Sequence, residues 1–174
     1  KILCARPLIY ETSNEYVEGL IKLVNAVSDI KDAELTIRIR EIPECSIDSV
    51  KKLLPKSNNL KISTTGDFVD DLNTADLLIS FSSTTIEEAL YSRKPVALYG
   101  GKGRYQHLNE NLSNENQSSR RAVYSLSDKK LAESIKNIIF NHHNESLLDK
   151  KELKNFIWDE NVYNWDRFIN MIAN

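Results

Sequence analysis

The residues best suited to hold a charged or sugar-like ligand fall on a few short segments. Ser82, Ser83, Thr84 and Thr85 make a run of small hydroxyl residues between an apolar segment and a helix-forming one. Such side chains are favoured where helices begin. A strand that feeds a helix N-terminus also brings free backbone N–H groups together around an anion. Ser82, Ser83 and Thr84 could therefore surround a diphosphate with donors, although the same pattern fits a capped strand–helix–strand unit that holds nothing. Glu88, one turn on, could accept hydrogen bonds from two ribose hydroxyls, or could simply complement the helix dipole. Arg6 and Arg40 each follow a strand-like segment and could pair with phosphate, or could be solvated surface charges. Gln106, with His107 and Asn109, offers neutral groups of the kind that read sugar hydroxyls. Lys102 and Arg104 precede them in the same glycine-rich loop.

Other chemistries find less support. Cys4, Cys45 and the three histidines show no zinc-like spacing, so no metal site is expected. His142 and His143 are adjacent at a helix end, where their charge would complement the dipole. There is no nucleophile elbow and no phosphate loop ending in Gly-Lys-Ser/Thr. No Gly-x-Gly-x-x-Gly opens the first crossover, which disfavours dinucleotide redox chemistry, and no cofactor is expected. The 23 basic and 25 acidic residues nearly balance, giving no push toward nucleic acid. No run approaches the roughly 20 apolar residues of a transmembrane helix, and the expected compartment is the cytoplasm.

These residues need a scaffold, and the chain alternates between two hydrophobic periods. The segments 2–5, 35–40, 60–62, 77–81, 96–99 and 122–124 read as short strands, continuous or alternating in apolar residues. Between them, Tyr16, Val17, Leu20, Leu23, Val24 and Val27 recur at helical spacing, with Ser13 or Asn14 as the cap. Shorter helices are expected over 47–54, around Phe68 and Leu72, and after Thr85. Ser127-Asp128 should cap a helix carrying Leu131, Ile135, Ile138 and Ile139. Further helices follow from about 145, the last over 162–172. Three of the five glycines, Gly100, Gly101 and Gly103, open a loop of about twenty residues, longer than most connections. Strands alternating with helices predict an α/β fold: a parallel sheet of about six strands with helices on both faces. Ligands in such sheets bind at the carboxyl ends of the strands, here Arg6, Arg40, residues 63–66, Ser82 to Thr85 and the loop after Tyr99. The whole chain, 1–174, is read as one domain. It opens at Lys1 directly on a strand-like segment, so it is expected to be a fragment of a two-domain enzyme.

From Gly66 to Gln106 the chain resembles the donor-binding half of GT-B glycosyltransferases. The strand, Ser82-Ser-Thr-Thr-Ile-Glu-Glu-Ala-Leu90, and Lys94-Pro95-Val96 carry the likeness. The resemblance implies a Rossmann-like C-terminal domain that binds a nucleotide-sugar for glycan synthesis, as at a cell surface or envelope. It gives Ser82, Ser83 and Thr84 to the diphosphate, Glu88 to the ribose and Gln106 to the sugar. It also implies a missing N-terminal acceptor domain, and a full-length enzyme peripheral to the inner membrane face. Arg93 stands where that family usually closes the helix with glycine. Ile79 and Ser80 lie eight positions before Glu87 and Glu88, so the paired Glu of retaining members is missing. No catalytic residue is assigned, and the chain alone is not expected to be active. Glu87-Glu88-Ala89 and Lys94-Pro95-Val96 are similar also to non-hydrolysing UDP-N-acetylglucosamine 2-epimerases. A non-catalytic α/β binding or interaction module is the third expectation.

Overall fold

The computed structural model describes residues 1–6, 11–39, 46–101, 119–144, 147–154 and 156. The six short apolar segments become parallel strands: β1 (Ile2–Cys4), β2 (Leu35–Arg38), β3 (Leu60–Ser63), β4 (Leu77–Ser80), β5 (Val96–Leu98) and β6 (Val123–Ser125). They form one sheet in the order β3-β2-β1-β4-β5-β6. Between and after them lie α1 (Ser13–Ser28), α2 (Ile47–Leu53), α3 (Phe68–Thr74), α4 (Thr85–Tyr91), α5 (Leu131–Asn141) and α6 (Lys150–Leu153). This is the expected α/β architecture.

Alternation along the strands divides the core in two. Ile2, Cys4, Leu35, Ile37, Leu77, Ile79 and Ala97 pack with α1, α2 and α5 on one face. Leu3, Leu78, Val96, Leu98 and Val123 pack with Leu72 of α3, Ile86 and Leu90 of α4, and Leu153 of α6 on the other. Each fully buried Leu or Ile contributes roughly 1.5–3 kcal/mol relative to exposure, so both faces are anchored by burial. That double burial is why these strands read as continuous apolar runs. The Cys4 thiol lies inside the first core, where burial pushes its pKa up to about 11.

Several local expectations change. Helix α1 starts three residues before Tyr16, because Thr12 caps it and Glu15 completes a capping box. The cap is therefore Thr12, not Ser13 or Asn14, and such a cap stabilises a helix by about 1 kcal/mol. Ser127 makes no cap bond to the 3₁₀ turn Asp128–Lys130 that precedes α5. The Asp128 carboxylate instead accepts from Lys22 Nζ at 2.7 Å and from Tyr99 Oη at 2.9 Å. Arg93 adopts the left-handed turn itself, at φ 59°. Its Nε donates to Leu148 O at 2.6 Å, and its own carbonyl accepts from Leu148 N at 2.8 Å.

His142 is not an exposed charge complementing a helix end. It is buried, its Nε2 lies 2.9 Å from Tyr124 Oη, and burial together with the Arg120 charge lowers its pKa. Arg40, Cys45, Lys102, Arg104, Gln106, His107, Asn109 and the helix expected over 162–172 lie outside the described residues.

Candidate functional site at the carboxyl ends of β1, β4 and β5

The strand order runs outward in both directions from β1 and β4. The chain crosses to opposite faces on either side of that pair, which is the switch point beyond whose carboxyl ends such sheets take their ligands in a crevice. The alternation of each strand continues one step past its end. Cys4 pairs with Ile79 and Ile79 with Ala97. Two residues further on, Arg6, Phe81 and Tyr99 form the next row on the α1 face.

Arg6 is the centre of this row, and it is not a solvated charge. Its guanidinium carbon lies 5.2 Å from the Tyr99 ring centroid, 5.5 Å from Tyr16 and 6.0 Å from Phe81. Aromatic faces attract a guanidinium, more strongly when water is excluded. Nη2 donates to the Glu11 carboxylate, and the Arg6 and Glu11 side chains are only 1% and 4% exposed. Glu11 Oε1 also accepts from Gly101 N at 3.1 Å. Arg6 Nε and Nη1 are buried without a hydrogen-bond partner among the described residues.

Glycines make the room. A Cβ on Gly19, in the middle of α1, would lie 2.2 Å from Arg6 Nη1. A helix-interior glycine costs about 1 kcal/mol against alanine, and here it admits the guanidinium against the helix. Gly100 and Gly101 have φ of 125° and 69°, and a Cβ on either would meet Phe81 within 2.8 Å. Tyr99 ends the row on the β5 side. Burial and the hydrogen bond to Asp128 push its hydroxyl pKa well above the ordinary phenol range.

The hydroxyl run sits at the end of β4, beside Arg6. Ser80 Oγ donates to Ala5 O at 2.7 Å, joining the ends of β4 and β1. Ser82 is buried, Ser83 half-buried and Thr84 exposed. Thr84 occupies the cap position of α4 in helical conformation, and its side chain makes no cap bond. Ser83 supplies the acceptors instead, with Oγ taking Thr85 N at 3.3 Å and its carbonyl taking Ile86 N at 3.0 Å. Thr85 Oγ1 is buried without a partner among the described residues. Glu88 is exposed on α4, and its N–H donates to Thr84 O at 3.2 Å.

The structure thus brings together Arg6, Ser82, Ser83, Thr84 and the Gly100-Gly101 turn. It separates residues 63–66, which follow β3 at the edge of the sheet, three strand spacings or about 14 Å from β4. The sequence reading missed Glu11, Gly19, Phe81 and Tyr99. A glycine inside a strongly amphipathic helix was the available signal for one of them. Among the described residues no three His, Cys, Asp or Glu side chains converge as metal ligands. No helix among them is long and apolar enough to cross a membrane.

No protein-family model matches the chain, and no curated protein matches it. Solved structures do. The chain aligns over 88% of its length with a protein described as a UDP-N-acetylglucosamine 2-epimerase from Listeria monocytogenes, at 18% identity and TM-score 0.55, covering 39% of that chain. It aligns over 99% with MnaA of S. aureus, solved with UDP, at 13% identity and TM-score 0.57, covering 46% of that chain. The spinosyn rhamnosyltransferase SpnG, solved with spinosyn aglycone, aligns over 99% at 15% identity and TM-score 0.59, with 44% of it covered. At these identities the likeness is one of fold. The chain has a Rossmann-like α/β fold of the GT-B C-terminal-domain type, and it spans less than half the length of each of these proteins.

Proposed function

We propose that the chain is the donor-binding part of a glycosyltransferase, holding a nucleotide-sugar beyond the carboxyl ends of β1 and β4. The observation that carries this reading is a set of buried polar atoms without partners among the described residues: Arg6 Nε, Arg6 Nη1 and Thr85 Oγ1. They follow the two strands that flank the crevice, and a buried donor left unpaired costs about 1–3 kcal/mol. Ligand oxygens would offset that cost.

In this reading Ser82, Ser83 and Thr84 contact the diphosphate with hydroxyl and N–H groups at the start of α4. The exposed Glu88 takes two ribose hydroxyls. Arg40 and Gln106 keep the phosphate and sugar roles that the resemblance implies. The transferred sugar would leave the diphosphate as an acceptor hydroxyl attacks the anomeric carbon. Donors fixed around the departing oxygen stabilise the growing negative charge without reorganising. The acceptor site and the catalytic base would belong to an N-terminal domain of the full-length enzyme. Glycan assembly at the cytoplasmic membrane face is the setting this implies.

Calorimetry with UDP, GDP, CDP and CMP sugars tests the proposal. One nucleotide class should bind, and silence across the panel at millimolar concentration overturns it. Glu88→Ala should weaken nucleoside diphosphate binding about tenfold while leaving inorganic pyrophosphate unaffected, the loss expected for hydrogen bonds to a charged group. One fold match is described as a UDP-N-acetylglucosamine 2-epimerase and another was solved with UDP, which favours a second reading, an epimerase-like isomerase of a UDP-sugar. Release of UDP against 2-epimerisation in the full-length protein separates the two.

A further inference from the structure

We propose that Arg6 and the Gly101 N–H form an anion seat in the crevice, which the Glu11 carboxylate fills in the free protein and a phosphate group of the ligand takes over on binding. The ligand class rests on the nucleotide-sugar reading above; the seat itself rests on geometry.

The two donors come from either side of β4. Arg6 follows β1 and donates through Nη2 to one Glu11 oxygen, while Gly101 follows β5 and donates to the other at 3.1 Å. A carboxylate held this way presents two oxygens to a guanidinium and a backbone amide, the arrangement that also receives a phosphate. The backbone comes as close as the absence of a Cβ permits. A Cβ on Gly100 would lie 2.9 Å from Arg6 Nη2 and 3.0 Å from Glu11 Oε1. Close approach of a glycine backbone is what an anion seat requires.

Glu11 fills the seat incompletely. Arg6 Nε and Nη1 remain buried and without partners among the described residues, although guanidinium carries five donors. Phosphate brings more acceptor oxygens than a carboxylate and can reach donors that Glu11 leaves unused. Glu11 is also free to leave. It precedes the Thr12 cap, and the capping box that starts α1 is made by Thr12 and Glu15 without it. Its side chain is 4% exposed while the residue as a whole is only partly buried, so the main chain lies near the surface and side-chain rotation can carry the carboxylate to water. Arg6 left alone would be a buried, uncompensated charge, which is strongly unfavourable. Departure of Glu11 is therefore coupled to arrival of another anion, and the seat exchanges one anion for another.

The internal carboxylate is then a competitor that weakens ligand binding. Glu11→Gln should bind inorganic pyrophosphate and UDP about tenfold more tightly than the unaltered chain in calorimetry. Equal or weaker binding by the folded variant overturns the proposal. A second measurement needs no variant. The chain has five glycines, so selective ¹⁵N-glycine labelling gives a simple spectrum. Pyrophosphate should shift the Gly101 amide and leave Gly66, beyond β3, in place; an unmoved Gly101 at saturation overturns the exchange. The two readings fail separately. UDP binding with Gly101 unmoved and no gain in Glu11→Gln removes the exchange and keeps the nucleotide site. Pyrophosphate moving Gly101 while no nucleotide or nucleotide-sugar binds keeps the seat and removes the nucleotide site.

Discussion

Two arginines follow neighbouring strands, and each meets an acid, yet their environments differ. Arg38, at the end of β2, donates to Asp71 at 2.7 Å and to the Asp67 carbonyl at 3.3 Å, while Ser63 Oγ donates to the same carboxylate at 3.0 Å. Its Nη2 reaches the Gly66 carbonyl, and both side chains of the pair keep 19% exposure. That cluster ties β2 and β3 to the start of α3. Arg6, at the end of β1, is buried among three aromatic rings with one acid and unused donors. Arginine at a strand end is therefore not by itself a ligand contact. What marks the Arg6 side is incomplete satisfaction among the described residues, at the point where the strand order reverses.

The largest expected contrast is in stability. Arg6→Ala empties the buried space among Tyr16, Phe81 and Tyr99 and should cost about 3–5 kcal/mol in denaturant unfolding, the cost of truncating a large buried side chain. Arg38→Ala removes bonds that water can replace in part and should cost about 1–2 kcal/mol. Equal losses would erase the distinction between the two sites.

Glycine substitutions come next. Gly19→Ala places a methyl in the space of the guanidinium and should cost about 2 kcal/mol, overpacking exceeding the gain in helix propensity. In an Arg6→Ala background the same change should become neutral or stabilising, because the clashing group is gone. Gly66→Ala has open space around it but φ of 86°, so its cost, about 1 kcal/mol, should not depend on Arg6. Thermal unfolding of the single and double variants checks the difference.

The smallest effects are in pH. Burial opposes ionisation of Asp71, but hydrogen bonds from Arg38 and Ser63 prevail and hold its pKa below the ordinary carboxylate value. Its contribution is therefore present above about pH 4 and lost as pH falls further, and Asp71→Asn should flatten that limb. His142 is depressed by burial and by Arg120, so the unfolded chain takes up its proton first. Stability should fall as pH drops below about 6.5, and His142→Gln should remove that part of the loss. Urea midpoints across the acid range give both curves.

Most of the architecture was legible because it depends on hydrophobic period. Runs such as Leu77 to Ile79 are apolar throughout since both faces of β4 are covered. The crossing helices announce themselves by spacing, as Leu20, Leu23, Val24 and Val27 do on α1. Ends were less legible, because caps are chosen by local competition: Thr12 prevailed over Ser13, and Asp128 found Lys22 and Tyr99 rather than a helix amide. The site was half legible. Ser82, Ser83 and Thr84 were readable as hydroxyls before a helix, but their place next to the β1 end that carries Arg6 depends on the order of strands, which no local pattern encodes. Glu11 was unreadable for the same reason, and Gly19 stood out only as a glycine inside a helix, since the meaning of both comes from an arginine on another element. Residues 63–66 also follow a strand, and only the sheet order sets them at its rim, away from the ends of β1 and β4.

One feature outside the crevice bears on it. Arg93 closes α4 and is bonded to Leu148 twice, through its carbonyl and through Nε, just ahead of α6. The two bonds run in opposite senses across one residue pair, so they resist sliding as well as separation. Mechanically, the chain entering α6 is clamped to the C-terminal end of α4, the helix that begins after the Ser83–Thr84 turn. Tension applied beyond Leu148 would reach the C-terminal end of α4 and, two residues on, the sheet, where Leu78 N donates to Pro95 O at 3.0 Å.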